Sequence, residues 1–171
     1  MIVCAFSTQP YDRTHLLNAS RDTDLEWRWF SDRLSAETVP LADGAQAVCC
    51  FVNDDCSAAV LESLAARGVR IVALRCTGTN QVDLQAAARL GMPVVRVPDY
   101  SPHSVAEHTI GLILSLARNL HRAFTRVRDG NFSLQGRLGF DLHGRSAGVV
   151  GTGRIGSRVA DILLGMGLDV L

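Results

Sequence analysis

Gly151-Thr152-Gly153-Arg154-Ile155-Gly156 spells G-x-G-x-x-G directly after the apolar run Ala147-Gly148-Val149-Val150 and directly before a helical pattern. That order commits this stretch to a strand, a tight turn and a helix. In such a turn the first glycine permits the reversal, the second lets backbone approach a pyrophosphate, and the third lets helix and strand pack closely. Phosphates then rest at a helix N-terminus, where N–H groups without acceptors and the positive end of the dipole favour anions. A purely structural glycine turn is the alternative; strand before and helix after favour the dinucleotide reading. The acidic residue that would hold a ribose is expected about twenty positions on, at the tip of the next strand. Asp169 in Leu168-Asp169-Val170-Leu171 comes too early for it, so the chain is expected to be a fragment of a longer protein.

Upstream, short apolar runs alternate with helical patterns, the mark of a parallel sheet with helices on its faces. Strands are predicted at residues 2–6, 25–30, 47–52, 70–74 and 94–97, and helices at 11–19, 57–67 and 81–90, the last two stopped by Gly68 and Gly91. The second strand alternates, with Leu25, Trp27 and Trp29 on one face, as an edge strand should. The pattern predicts a five-stranded flavodoxin-like unit over residues 1–100. Ser104 and Glu107 have capping-box spacing, and one long helix is predicted from 105 to about 122. Residues 129–144 are expected to cross the surface, so that 101–144 link the first unit to the start of a Rossmann domain at 145–171. With so little sheet behind it, the apolar stripe Ile155, Val159, Ile162 and Leu163 is expected to stay partly exposed.

Composition narrows the chemistry. The 17 basic residues balance 17 acidic ones, and the pI is about 6.9, so no net field favours nucleic acid or a membrane surface. All the basic residues are arginine. Without lysine there is no Walker A, Schiff-base or pyridoxal phosphate chemistry. Cys4, Cys49, Cys50, Cys56 and Cys76 lack C-x-x-C spacing and mostly sit in apolar runs, so free thiols in a reducing cytoplasm are expected. Met1-Ile2-Val3-Cys4-Ala5-Phe6 is apolar but has no basic lead-in and is too short for a secretory leader, so none is expected, and no apolar run reaches membrane length. His103 and His108 lie about 140° apart on a helix, so no metal site is expected. Glu107 and His108 are neighbours that do not face each other, and a pairing of the two as acid and base is disfavoured. Asp54-Asp55 before Ser57 favours helix capping over a carboxylate pair.

Several motifs occur together in one order: Ala47-Val48-Cys49-Cys50-Phe51-Val52-Asn53-Asp54-Asp55, Leu74-Arg75-Cys76-Thr77-Gly78-Thr79-Asn80-Gln81-Val82-Asp83, Val95-Arg96-Val97-Pro98-Asp99-Tyr100-Ser101-Pro102, Val105-Ala106-Glu107-His108 and the glycine turn. Together they resemble the D-isomer-specific 2-hydroxyacid dehydrogenases, and among them the fermentative D-lactate dehydrogenases of bacteria, over essentially the whole chain. The resemblance implies the first half of an NAD-dependent enzyme acting on a small 2-keto or 2-hydroxy acid such as pyruvate, with a homodimer in the full-length protein. It places the substrate-carboxylate turn on Cys76, Thr77 and Gly78, pocket walls on Phe51 and Tyr100, pyrophosphate contacts on Gly151, Gly153, Arg154, Ile155 and Gly156, and Val105 beside the nicotinamide. Gly78 is expected to take a backbone conformation closed to other residues. The open alternatives are a plain turn with Asn80 capping the next helix, and core roles for the two aromatics. The family's catalytic arginine, histidine and acidic partner would all fall after Leu171, so none is assigned here. A dinucleotide-sensing binding protein of corepressor type, or an inactive truncated product, stay as alternatives, because fold does not fix function.

Overall fold

The apolar run Ile2-Val3-Cys4-Ala5 becomes β1 (Ile2–Ala5), with a parallel strand on each side of it. The computed structural model describes residues 1–136 and 138–171. Arg137, inside the expected 129–144 crossing, lies outside the described residues. Two compact units emerge, Met1–Tyr100 and Ser101–Leu171.

In the first unit β2 (Glu26–Trp29), β1, β3 (Ala47–Cys50), β4 (Ile71–Leu74) and β5 (Val94–Val95) lie side by side in that order, every pair parallel. This is the flavodoxin-like order 2-1-3-4-5. Successive side chains of a strand point to opposite faces, so each interior strand feeds two cores. Cys4, Phe6, Val48, Cys50, Val72 and Leu74 meet Val60, Leu61 and Leu64 of α2 (Ala58–Ala66) on one side, where α3 (Leu84–Arg89) also packs. Val3, Ala5, Ala47 and Cys49 meet Leu25, Trp27, Trp29 and Leu16 of α1 (Pro10–Ser20) on the other. Leu61 and Leu64 are fully buried, each contributing about 1.5–3 kcal/mol by leaving water. Between β2 and β3 the chain makes only one 3-10 turn, Val39–Ala42.

The second unit opens with α4 (Pro102–Ala117) and α5 (Leu120–Arg128) rather than the single helix expected. Asn119 interrupts them in the left-handed region at φ 54°, which an asparagine side chain tolerates better than most. The N-cap also differs from expectation. Ser101 accepts from the Ser104 N–H at 3.1 Å, and the Ser104 hydroxyl donates to Ser101 at 2.8 Å, which leaves Glu107 no capping part. Further on, β6 (Ser146–Ala147) and β7 (Asp169–Val170) pair in parallel around α6 (Arg154–Gly165), the opening of a Rossmann unit. The ladder continues beyond β6, since Val149 N–H donates to the Leu171 carbonyl at 2.9 Å.

The apolar stripe of α6 is better covered than the short sheet predicts. Val159 and Leu163 are buried with Ala106 and Ile110 of α4 and with Leu168, while Ile155 alone of the four stays exposed at 42%. Helix α4 therefore supplies apolar cover for this face of α6. None of the described helices is long and apolar enough to cross a membrane.

Candidate functional site

In the first unit, the loops that leave β1, β3 and β4 emerge at the carboxyl ends of parallel strands, where sheets of this type bind ligands. Two charged side chains tie these loops together. Asp54, 2% exposed, accepts from the Ser7 hydroxyl (2.7 Å) and Leu34 N–H (2.8 Å) on Oδ1, and from Phe51 N–H (2.6 Å) on Oδ2. The expected helix-capping part is not found: α2 has no side-chain cap, and Asp55 accepts from Ser57 N–H, at 2.8 Å, in the turn before the helix, while Asp54 is turned to the loops. Opposite in charge, Arg75 sends its guanidinium to the carbonyls of Cys49, Phe6 and Ser7 at 3.1, 2.9 and 3.1 Å.

The turn that follows Arg75 has its carbonyls tied back. Cys76 O accepts from Val97 N–H (3.1 Å), Thr77 O from the Arg96 guanidinium (3.0 Å), Gly78 O from the Cys76 thiol (3.3 Å) and Thr79 O from Val82 N–H (2.9 Å). Among the described residues, no acceptor within the chain engages the N–H groups of Cys76, Thr77 and Gly78. Successive amides without acceptors in a turn make an anion-binding concavity. The alternative with Asn80 as a cap is excluded, because Asp83 caps α3 by accepting from Ala86 N–H at 2.8 Å.

One expectation about this turn is corrected: Gly78 does not adopt a positive φ. A Cβ at Gly78 would meet no protein atom within 4 Å, so the space beside this residue is open.

Phe51 and Tyr100 are both exposed, at 36% and 60%, so neither is a core aromatic. The structure brings Phe51 and the turn together through Gln81, whose amide donates to Cys76 Sγ (3.2 Å) and to Phe51 O (3.5 Å). Tyr100 makes no hydrogen bond among the described residues. Phe51 also borders an open cleft of about 800 Å³ walled by Ser7, Gln9, Tyr11, Arg33 and Asn53, none of them expected from sequence. Arg75 and Gln81 carry no signal of these parts in the sequence, and Asp54 has the pattern of a helix cap, because only tertiary partners reveal what these side chains do.

In the second unit the glycine turn is open to solvent from Val150 to Ile155. Gly151 has φ +95°, and a Cβ on Gly156 would collide with the Gly151 carbonyl oxygen, so these two glycines meet the requirements of turn and close packing. Around Gly153 there is room, with nothing within 4 Å of a Cβ position. Ser157 N–H to Gly153 O, at 2.9 Å, is the first bond of α6. The N–H groups of Ile155 and Gly156 therefore precede the helical ladder without acceptors in it. This geometry fits a pyrophosphate. Val105 lies in the first turn of α4.

The thiols divide by environment. Burial pushes Cys4 and Cys49 up, with Arg75 partly opposing it at Cys49; a hydrogen bond with Cys56, then burial, pushes Cys50 well up. Cys76 is only half-buried. Among the described residues no group of three His, Cys, Asp or Glu is placed to hold a metal ion.

A flavodoxin-like sheet with a turn of amides without acceptors at its carboxyl edge, followed on one chain by a glycine turn between strand and helix, defines the class: a two-unit α/β protein with turns of anion-binding type. The model of the D-isomer specific 2-hydroxyacid dehydrogenase catalytic domain matches residues 2–165, and the chain belongs to that family. A 2-hydroxyacid dehydrogenase homolog of Haemophilus influenzae is 54% identical over the whole chain and 52% of its own length. The apo-structure of D-lactate dehydrogenase from Escherichia coli superposes with a TM-score of 0.91 at 43% identity, covering 100% of this chain and 60% of that one. D-Lactate dehydrogenase from Aquifex aeolicus, solved with NAD and lactic acid, gives a TM-score of 0.79 at 32% identity over 98% of this chain and 50% of that one. The chain spans about half the length of the curated relatives it matches.

Proposed function

We propose that this chain carries the substrate-carboxylate turn and the pyrophosphate turn of an NAD-dependent dehydrogenase that interconverts a 2-keto acid such as pyruvate and its D-2-hydroxy acid. The observation that carries the reading is the Cys76–Gly78 turn, with its carbonyls anchored and its amides without acceptors in the chain. NAD would supply the hydride chemistry. Gly151, Gly153, Arg154, Ile155 and Gly156 would hold its pyrophosphate, with Val105 beside the nicotinamide end. Cys76, Thr77 and Gly78 would bind the carboxylate through backbone N–H groups, and Phe51 and Tyr100 would wall the substrate and exclude water.

No residue of this chain is assigned the proton transfer. The 171 residues by themselves are therefore proposed to be inactive toward pyruvate and NADH. Membership of the family and the NAD- and lactic-acid-bound relative support the cofactor and substrate class. Cysteines that are all free support a reducing cytoplasm, and a homodimer is proposed for the intact protein.

The test compares Gly78→Val with Cys56→Ser in the intact protein. A valine would put a branched side chain into open space on the turn itself, whereas Cys56 is buried against Cys50. We expect Gly78→Val to raise KM for pyruvate about a hundredfold while Cys56→Ser stays near wild type. Equal kinetics for the two variants would refute the assignment.

A further inference from the structure

Arg75 stands directly before the turn, and its side chain is only 10% exposed. A guanidinium in that position needs acceptors, because a buried unpaired charge costs several kcal/mol. It finds them on two other loops. NH1 donates to Cys49 O at the end of β3, and NH2 to Phe6 O and Ser7 O after β1. Nε faces Asp12 Oδ1 of α1 at 3.5 Å, and Asp12 Oδ2 in turn accepts from Gln9 N–H at 2.8 Å. The Arg75 Cζ lies over the Phe51 ring, 5.6 Å from its centroid. One side chain thus fastens the carboxyl ends of three strands, and its guanidinium carbon lies over an aromatic residue of the proposed pocket.

We propose that Arg75 is the positioning residue of the substrate-carboxylate site: it fixes Phe51 and the Cys76–Gly78 turn in one geometry by binding the β1 and β3 loops from beneath. The inference rests on the proposed function of that turn. Arginine suits the task because its planar fork reaches several carbonyls at once and lies over an aromatic ring, which a lysine ammonium cannot do together. Asp12 pairs with the charge of the fork from the α1 side, at 3.5 Å and without a hydrogen bond to Nε.

The experiment uses the intact protein and the variants Arg75→Lys, Arg75→Met, Asp12→Asn and Gly78→Val. KM for pyruvate and the inhibition constant of oxamate, a pyruvate isostere, are measured beside KM for NADH and thermal stability. We expect Arg75→Lys and Arg75→Met to raise KM for pyruvate and the oxamate constant in parallel, about ten- to a hundredfold, with KM for NADH within about twofold of wild type. Asp12→Asn should produce a smaller change of the same kind. A merely structural Arg75 would lower thermal stability and leave both carboxylate constants unmoved, and that result overturns the inference. Should Arg75→Met fail to fold, Arg75→Lys and Asp12→Asn decide. An effect of Gly78→Val without one from Arg75→Lys overturns the positioning part alone. No effect of Gly78→Val overturns the reading of the turn, and the inference with it.

Discussion

Asp54→Asn isolates what one buried carboxylate contributes to the carboxyl edge of the sheet. The wild-type group accepts three hydrogen bonds, two on Oδ1 and one on Oδ2, and donates none. An asparagine has one acceptor oxygen and one donor NH2. With its oxygen toward Ser7 and Leu34, the NH2 meets the Phe51 N–H where a 2.6 Å bond had been; turned over, it meets the Leu34 N–H instead. In either orientation at least one buried N–H loses its partner. Hydrogen bonds to a charged group contribute about 1.5–3 kcal/mol each, so Asp54→Asn, which loses one, should cost about 1.5–3 kcal/mol, and Asp54→Ala, which removes all three, about 4.5–9 kcal/mol. Either is a large share of a domain stability of about 5–15 kcal/mol. Urea unfolding followed by tryptophan fluorescence is the assay, because both tryptophans, Trp27 and Trp29, lie in β2 and report the first unit alone. An Asp54→Asn cost under about 0.5 kcal/mol, typical of a surface substitution, would refute the reasoning.

In the second unit, Gly156→Ala drives a Cβ into the Gly151 carbonyl, while Gly165→Ala meets nothing. The first should speed hydrogen exchange across α6, and the second should slow it, by up to about 1 kcal/mol of helix propensity; slowing by both would show that the glycine turn is not close-packed. The thiols give the third prediction. In the fold the thiols of Cys4 and Cys49 are pushed up by burial and that of Cys50 by its hydrogen bond with Cys56 and by burial, whereas unfolded thiols ionise near pH 8.5. Above that pH the unfolded chain binds fewer protons, so stability present below it is lost as pH rises, by up to about 1.4 kcal/mol per thiol per pH unit. Unfolding free energies measured at pH 7.5 and 9.5 should differ accordingly, and a flat profile would contradict buried thiols at these positions.

Much of the fold was legible in the sequence because periodicity is local. Continuous apolar runs of Val, Ile, Cys and Ala marked β1, β3 and β4 as interior parallel strands, and the alternation of Leu25, Trp27 and Trp29 marked the edge. The glycine turn could be read for the same reason, since Gly151 and Gly156 satisfy demands set within six residues. The break at Asn119 was not legible, because 105–122 carries no Pro and only Gly111 against a helix. Nor could the sequence show that α4 covers Val159 and Leu163, a contact between segments about fifty positions apart.

The candidate site divides in the same way. Sequence determined which residue types occupy the turns, and so which chemistry they admit. Only tertiary structure decided which amides of Cys76–Gly78 are left without acceptors, because their carbonyls are drawn back by Arg96 and Val97 from the next strand segment. It also decided that Arg75 is a buried fastener rather than a surface charge, its acceptor on Phe6 lying 69 positions away in the chain. A charged residue's role depends on what desolvates it and what accepts its protons, and both are set by segments that meet only when the sheet assembles.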